Sequence, residues 1–335
     1  MPLTTKPADA RAEQVGPPPP FDPECGAVLA PLAELVSPSM TIDMIPARRA
    51  MAGATRPSDD DLRCGGVFTV EERSVPGPGG APDISLLICR PTSATAPVPA
   101  VYNVHGGGMV MGDNRSGVLE ALDWAQELEL AVVSVEYRLA PETPHPGPVE
   151  DCYAGLIWTV EHADELGIDP TRILIAGGSA GGGLAAGVTL LARDRGGPVL
   201  IGQMLMSPML DDQNKTVSAR QMAGVGVWDS TSNETGWTAL LGEARGGPDV
   251  SPYAAPSRAT DLSGLPATLI DVGSAETFRD EAVAYASRVW QAGGVAELHV
   301  WPGGYHGYFL LAPHAQVSQE TMAARVQWLR RLLAP

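Results

Sequence analysis

The sequence predicts an α/β fold with a mainly parallel sheet, and three features lead to that expectation. From residue 67 onward, β-rich runs alternate with segments whose apolar residues recur at helical spacing, as in chains whose strands are joined through helices packed on the sheet. Eight such runs precede the C-terminus. With 335 residues, 44% of them hydrophobic, the chain has enough apolar surface to cover both faces of a sheet that size.

Residues 1–60 are rich in Pro, Ala and Met, with short apolar stretches at 28–36 and 40–45, and read as short helices and loops. The four prolines at 17–20 read as a stiff spacer of polyproline II character. Strand candidates follow at 67–75, 84–90, 100–104, 131–137, 172–176, 202–207, 267–272 and 296–301. Between them, Val149, Cys152, Leu156, Val160 and Ala163 keep helical spacing, as do Phe278, Ala282, Tyr285 and Val289, and later Met322, Val326, Leu329 and Leu333. Each stripe reads as the core-facing side of a helix. Residues 211–263 interrupt the alternation, with no good strand and with Gly, Trp and polar residues crowded into GVGVWDSTSNETGWTALLG. An interruption of about fifty residues is too long for an ordinary connection. It is expected to form an insertion that helps make a lid, dividing the core into 61–210 and 264–335.

Charge excludes one class of partner: 39 acidic against 22 basic residues give a net charge of −17, which opposes binding to a phosphate backbone. Cys25, Cys64, Cys89 and Cys152 lie far apart with no CxxC pair and no His at metal spacing. They read as buried thiols, with neither a zinc site nor a disulfide framework. The first twenty residues hold no apolar leader core, and no run reaches the roughly 18 apolar residues of a membrane span, so a cytoplasmic protein without a membrane partner is expected.

The chemistry concentrates in RILIAGGSAGGGLAAGVTLLARD, where a strand passes through Gly177, Gly178, Ser179, Ala180 and Gly181 into a helix. A side chain standing clear of a sheet needs a sharp strand-to-helix turn, and flanking glycines relieve the clash that such a turn creates. Ser179 is the candidate nucleophile, and its position puts the hydroxyl and the Ala180 N–H at a helix N-terminus that favours an oxyanion. A second element, His105 followed by Gly106, Gly107 and Gly108, comes directly after the strand AVYNV. Its three glycines expose backbone N–H groups as an oxyanion hole requires. Of six histidines, His105 belongs to the Gly loop, His162 to a polar helix position, His145 to a proline cluster, His299 to a strand, and His314 to the approach to the last helix. His306, in PGGYHGYF just after the last strand, is the candidate base, because loops leaving strand C-termini share one face of a parallel sheet. The acid that holds the imidazole tautomer is expected in LIDVGSAETFRDEA, where Glu276 comes first after the strand and Asp280 is the alternative. The order Ser, acid, His is that of α/β-hydrolases.

HGGG at 105–108, YRLAPE at 137–142 followed by VEDC, GGSAGGG at 177–183 and PGGYHGY at 302–308 together make residues 65–335 resemble the bacterial hormone-sensitive-lipase family of carboxylesterases, within the α/β-hydrolase fold. The resemblance implies an eight-stranded, mostly parallel sheet flanked by helices, with a helical cap built from residues 1–60 and the 211–263 insertion. It also implies that Gly107, Gly108 and Ala180 donate to the oxyanion, that no metal or organic cofactor is used, and that the chain can form a homodimer through its last strand. The sequence departs from the family at Gly178, where Asp or Thr is common, and at Glu276, where Asp is common.

The expected function is a serine carboxylesterase acting on short- to medium-chain acyl esters through an acyl-enzyme. An amidase or lactone hydrolase on the same triad is the alternative. Some relatives of the fold are small-molecule receptors that have lost a triad member, and Ser179, Glu276 and His306 are all present here.

Overall fold

The computed structural model describes residues 15–334; residues 1–14, the first part of the N-terminal segment expected in the cap, lie outside the described residues, as does Pro335. Among the described residues, eight strands form one sheet: β1 (Phe68–Val75), β2 (Ile84–Pro91), β3 (Val98–Val104), β4 (Ala131–Glu136), β5 (Ile168–Gly178), β6 (Gly202–Met206), β7 (Ala267–Gly273) and β8 (Ala296–Trp301). Their order is β1-β2-β4-β3-β5-β6-β7-β8. Only β2 runs against the others. All eight predicted strands are present. β5 is longer than expected because pairing with β3 carries it back to Ile168 and forward to Gly177, and pairing with β6 adds Gly178, glycines whose own strand propensity is low.

The helices are α1 (Pro23–Leu35), α2 (Ile45–Ala54), α3 (Asp59–Leu62), α4 (Val118–Leu128), α5 (Gly147–Glu161), α6 (Ala163–Leu166), α7 (Ala180–Arg195), α8 (Val217–Gln221), α9 (Ser230–Leu241), α10 (Arg279–Gln291), α11 (Tyr308–Leu311) and α12 (Gln316–Leu333). On one face of the sheet, α5, α7 and α10 pack against Ala100, Tyr102, Val104, Val133 and Ile175; on the other, α4 and α12 pack against Val101, Val132, Leu174 and Leu269. Successive residues of one strand thus enter different cores, which is why the central strands read as unbroken apolar runs. Cys25, Cys89 and Cys152 are buried, as expected, but Cys64 is only half-buried beside the short α3, where its thiol donates to the Asp61 carbonyl.

The sheet order reverses at β3. From there the chain goes to β4 on one side and β5 on the other, opening a crevice at the carboxyl ends of β3 and β5. The Gly loop after β3 and the elbow after β5 meet there. Among the described residues, 211–263 contain α8, α9 and loops without a strand. This insertion is tied to the N-terminal segment: the Ser39 hydroxyl donates to Asp229 Oδ2 at 2.7 Å, and the Met40 N–H donates to the Ser232 hydroxyl at 2.8 Å. Arg49 on α2 clamps the same segment to the core by donating to the Val110 and Ala140 carbonyls and to Glu142. No helix among the described residues is long and apolar enough to cross a membrane.

Candidate active site

At the β5–α7 turn, Ser179 holds φ 58° and ψ −124°, a conformation disfavoured for any residue with a Cβ. Three backbone hydrogen bonds impose it. The Ser179 N–H donates to the Met206 carbonyl at 2.8 Å, and its carbonyl accepts from Met209 at 2.9 Å and Gly183 at 3.1 Å. The turn is crowded as well as sharp, since a Cβ on Gly181 would overlap the Val104 carbonyl of the neighbouring strand. Ser179 is therefore fixed at the start of α7 with its side chain pointing into the crevice.

His306 lies in the loop between β8 and α11, with its ring edge-on to Phe278 at 5.1 Å between centroids. Its Nε2 is 3.0 Å from Ser179 Oγ and its Nδ1 is 3.1 Å from Glu276 Oε1. Glu276 is buried just after β7, and its other oxygen accepts from the Ser207 hydroxyl at 2.7 Å and the Gly273 N–H at 3.2 Å. A carboxylate only accepts, so Nδ1 carries the imidazole proton and Nε2 is free to accept from the serine hydroxyl. The structure thus brings Ser179, His306 and Glu276 into one hydrogen-bonded chain.

Asp280, the alternative acid, is turned elsewhere: one oxygen accepts from Arg279 at 2.8 Å, the other from the Ser218 N–H at 2.7 Å. Three of the other histidines considered for the base are engaged elsewhere. His105 is buried, stacks on Tyr137 at 4.1 Å, and is pushed down to about 4 by that burial. His162 stacks on Trp158, and His299 pairs with Glu297 on the sheet edge.

The Gly loop passes directly over the serine. Gly107 and Gly108 have φ 111° and 62°, and a Cβ on Gly108 would overlap the Trp228 ring. Among the described residues, the N–H groups of Gly107, Gly108 and Ala180 have no acceptor. Gly107, Gly108 and Ser179 border a cavity of about 400 Å³, whose walls include Ala52 of α2, Val227 and Trp228 of the insertion, and Phe309 to Leu311 of α11. The lining is mostly apolar, with Glu120 of α4 as an exception.

Sequence reasoning missed Ser207, Trp228 and Glu120. Ser207 follows directly after β6, on the sheet edge that carries the elbow, and that position was the only available signal. Trp228 and Glu120 belong to no motif.

Comparison with known proteins finds the same fold and, among the matches, ester hydrolases. A family profile described as the alpha/beta hydrolase fold matches residues 101–310. Carboxylesterase NlhH of Mycobacterium tuberculosis is 36% identical over 272 residues, covering 79% of this chain and 83% of its own. Mouse hormone-sensitive lipase is 37% identical over 134 residues, 40% of this chain and 18% of its own. Among solved structures, a bacterial heroin esterase superposes with a TM-score of 0.85 at 41% identity, covering 94% of this chain and 98% of that one.

Proposed function

The chain belongs to the hormone-sensitive-lipase family of α/β-hydrolase carboxylesterases and is an ester hydrolase, and from that premise we propose that Ser179, His306 and Glu276 carry out the hydrolysis of short- to medium-chain acyl esters. What supports this assignment above all is the unbroken hydrogen-bond chain from Ser179 Oγ through the imidazole to a buried carboxylate.

Ser179 Oγ attacks the ester carbonyl as His306 Nε2 takes its proton. The tetrahedral oxyanion is stabilised by the N–H groups of Gly107, Gly108 and Ala180, which have no other acceptor among the described residues. The imidazolium then returns its proton to the departing alkoxide, leaving an acyl-enzyme. A water molecule, deprotonated by His306, attacks the acyl carbon and releases the acid. Glu276 offsets the imidazolium charge in both halves of the cycle, held by Ser207 and Gly273.

The N-terminal segment and the 211–263 insertion act together as the cap, contributing Ala52, Val227 and Trp228 to the cavity. A cavity of about 400 Å³ with a largely apolar lining suits a small ester. A cytoplasmic location and a homodimer through β8 complete the proposal. Light scattering in solution tests the dimer.

The catalytic assignment is tested by labelling with a fluorophosphonate and by hydrolysis of 4-nitrophenyl esters of increasing acyl length. The expected result is an adduct on Ser179 alone and a rate that peaks at short to medium chains. An adduct on another serine would overturn it.

A further inference from the structure

Glu120 is used by nothing in the hydrolytic reading, yet among the described residues it is the one carboxylate lining the cavity, and no Lys or Arg shares that lining. It stands in the first turn of α4 and is 8% exposed. Behind it lies Arg325 of α12, fully buried. The Arg325 fork is already matched by a carboxylate, with Nε donating to Asp271 Oδ2 at 2.6 Å and Nη2 to Asp271 Oδ1 at 2.8 Å. Its Nη1 donates to Glu120 Oε1, while Glu120 Oε2 has no partner among the described residues. One guanidinium therefore serves two carboxylates. Phe309 lies over that guanidinium, 4.1 Å from ring centroid to Cζ, and also lines the cavity, so the ring screens the cation while the carboxylate faces inward. Burial pushes the Glu120 carboxyl up, Arg325 opposes that shift, and Asp271 adds to it. The charge is thus only partly offset within the protein. Trp228 lines the same cavity, and an indole ring is the aromatic group that attracts cations best.

We propose that Glu120 and Trp228 form a recognition site for a positively charged group on the ester, so that the pocket selects substrates bearing a protonated or quaternary amine. The proposal rests on the reading of this cavity as the place where esters are hydrolysed at Ser179. Such a group would supply the counter-charge that Glu120 lacks, against a mostly apolar lining where opposite charges attract more strongly than in bulk water.

Two measurements test it, each using isosteres that exchange N⁺ for carbon. Calorimetric titration compares choline with 3,3-dimethyl-1-butanol and needs no turnover. Choline is expected to bind about tenfold or more tightly than the alcohol, and Glu120→Gln to remove most of that ratio. Kinetics compare acetylcholine with 3,3-dimethylbutyl acetate on the alcohol side, and 4-nitrophenyl 4-(trimethylammonio)butanoate with 4-nitrophenyl 5,5-dimethylhexanoate on the acyl side. In at least one pair, the ratio of kcat/KM for the charged over the neutral ester is expected to fall about tenfold in Glu120→Gln. Equal binding of choline and the alcohol to the unaltered protein would overturn the proposal, as would equal losses for both members of each ester pair, the mark of a purely structural partner for Arg325. Ser179-dependent turnover of neutral esters without any cation preference would sink this inference alone. Cation binding without Ser179-dependent turnover would instead sink the hydrolytic reading.

Discussion

Replacing Glu276 with Gln keeps the length and shape of the side chain, and the surrounding donors decide what the amide does. The Oε2 position accepts from the Ser207 hydroxyl and the Gly273 N–H, so a carbonyl oxygen must go there. An NH₂ in that place would leave two buried donors facing a third. The NH₂ is then forced toward His306 Nδ1, now 3.1 Å from Oε1, and can only donate to it. His306 must carry its proton on Nε2, the atom that has to accept from Ser179. The variant therefore fails through the wrong tautomer as well as through lost charge, a combination that lowers kcat by about 10⁴ in a Ser–His–Asp enzyme. That corresponds to about 5 kcal/mol of transition-state stabilisation. Steady-state hydrolysis of 4-nitrophenyl butyrate by Glu276→Gln and Asp280→Asn measures it. Asp280→Asn is expected to stay within about tenfold of the unaltered protein, because that carboxylate is engaged with Arg279 and Ser218. Glu276→Gln with more than a tenth of the original kcat, or a larger loss in Asp280→Asn, would refute the reasoning.

Gly108→Ala forces a methyl group into the Trp228 ring at a φ of 62°, displacing one oxyanion donor; kcat should fall about 10²–10³ with KM little changed, and a near-normal kcat would remove Gly108 from the oxyanion site. His105 is neutral in the folded state because burial lowers it to about 4, whereas the unfolded chain takes up its proton near ~6.5, so stability should be full above that pH and fall as pH drops toward about 4. Urea melts of the protein and of His105→Asn across pH 4–7 check this; the variant should show a shallower acid dependence, and parallel curves would contradict it. Asp229→Ala removes the acceptor for Ser232 N–H, Gly224 N–H and the Ser39 hydroxyl at once. Losing the α9 cap alone should cost about 1 kcal/mol, and loosening the N-terminal segment should speed proteolysis near residues 36–41, which intact digestion rates would disprove.

Much of this protein is legible in its sequence because the physical demands behind it are local. A strand buried on both faces needs an unbroken apolar run, so β3, β4, β6 and β7 could be read directly. The elbow is legible because Gly177 and Gly181, two residues either side of Ser179, stand where a Cβ would overlap backbone, and His306 because the strand before it ends on the edge where Ser179 stands. Between Glu276 and Asp280 the sequence offered only the order of residues after β7. Side-chain direction separates them: one turns toward His306 and the other toward Ser218. Packing likewise seats Trp228 against Gly108 and sets Arg325 between Asp271 and Glu120, the latter 205 residues away in the chain. By itself, the sequence determined the sheet, the nucleophile's turn and the residue types able to carry the chemistry, since backbone sterics and apolar periodicity act over a few residues. Only the tertiary structure decided which carboxylate meets the imidazole, what roofs the cavity and which charge faces into it, because those contacts form between segments that share no local pattern and meet only when the sheet and its helices are packed.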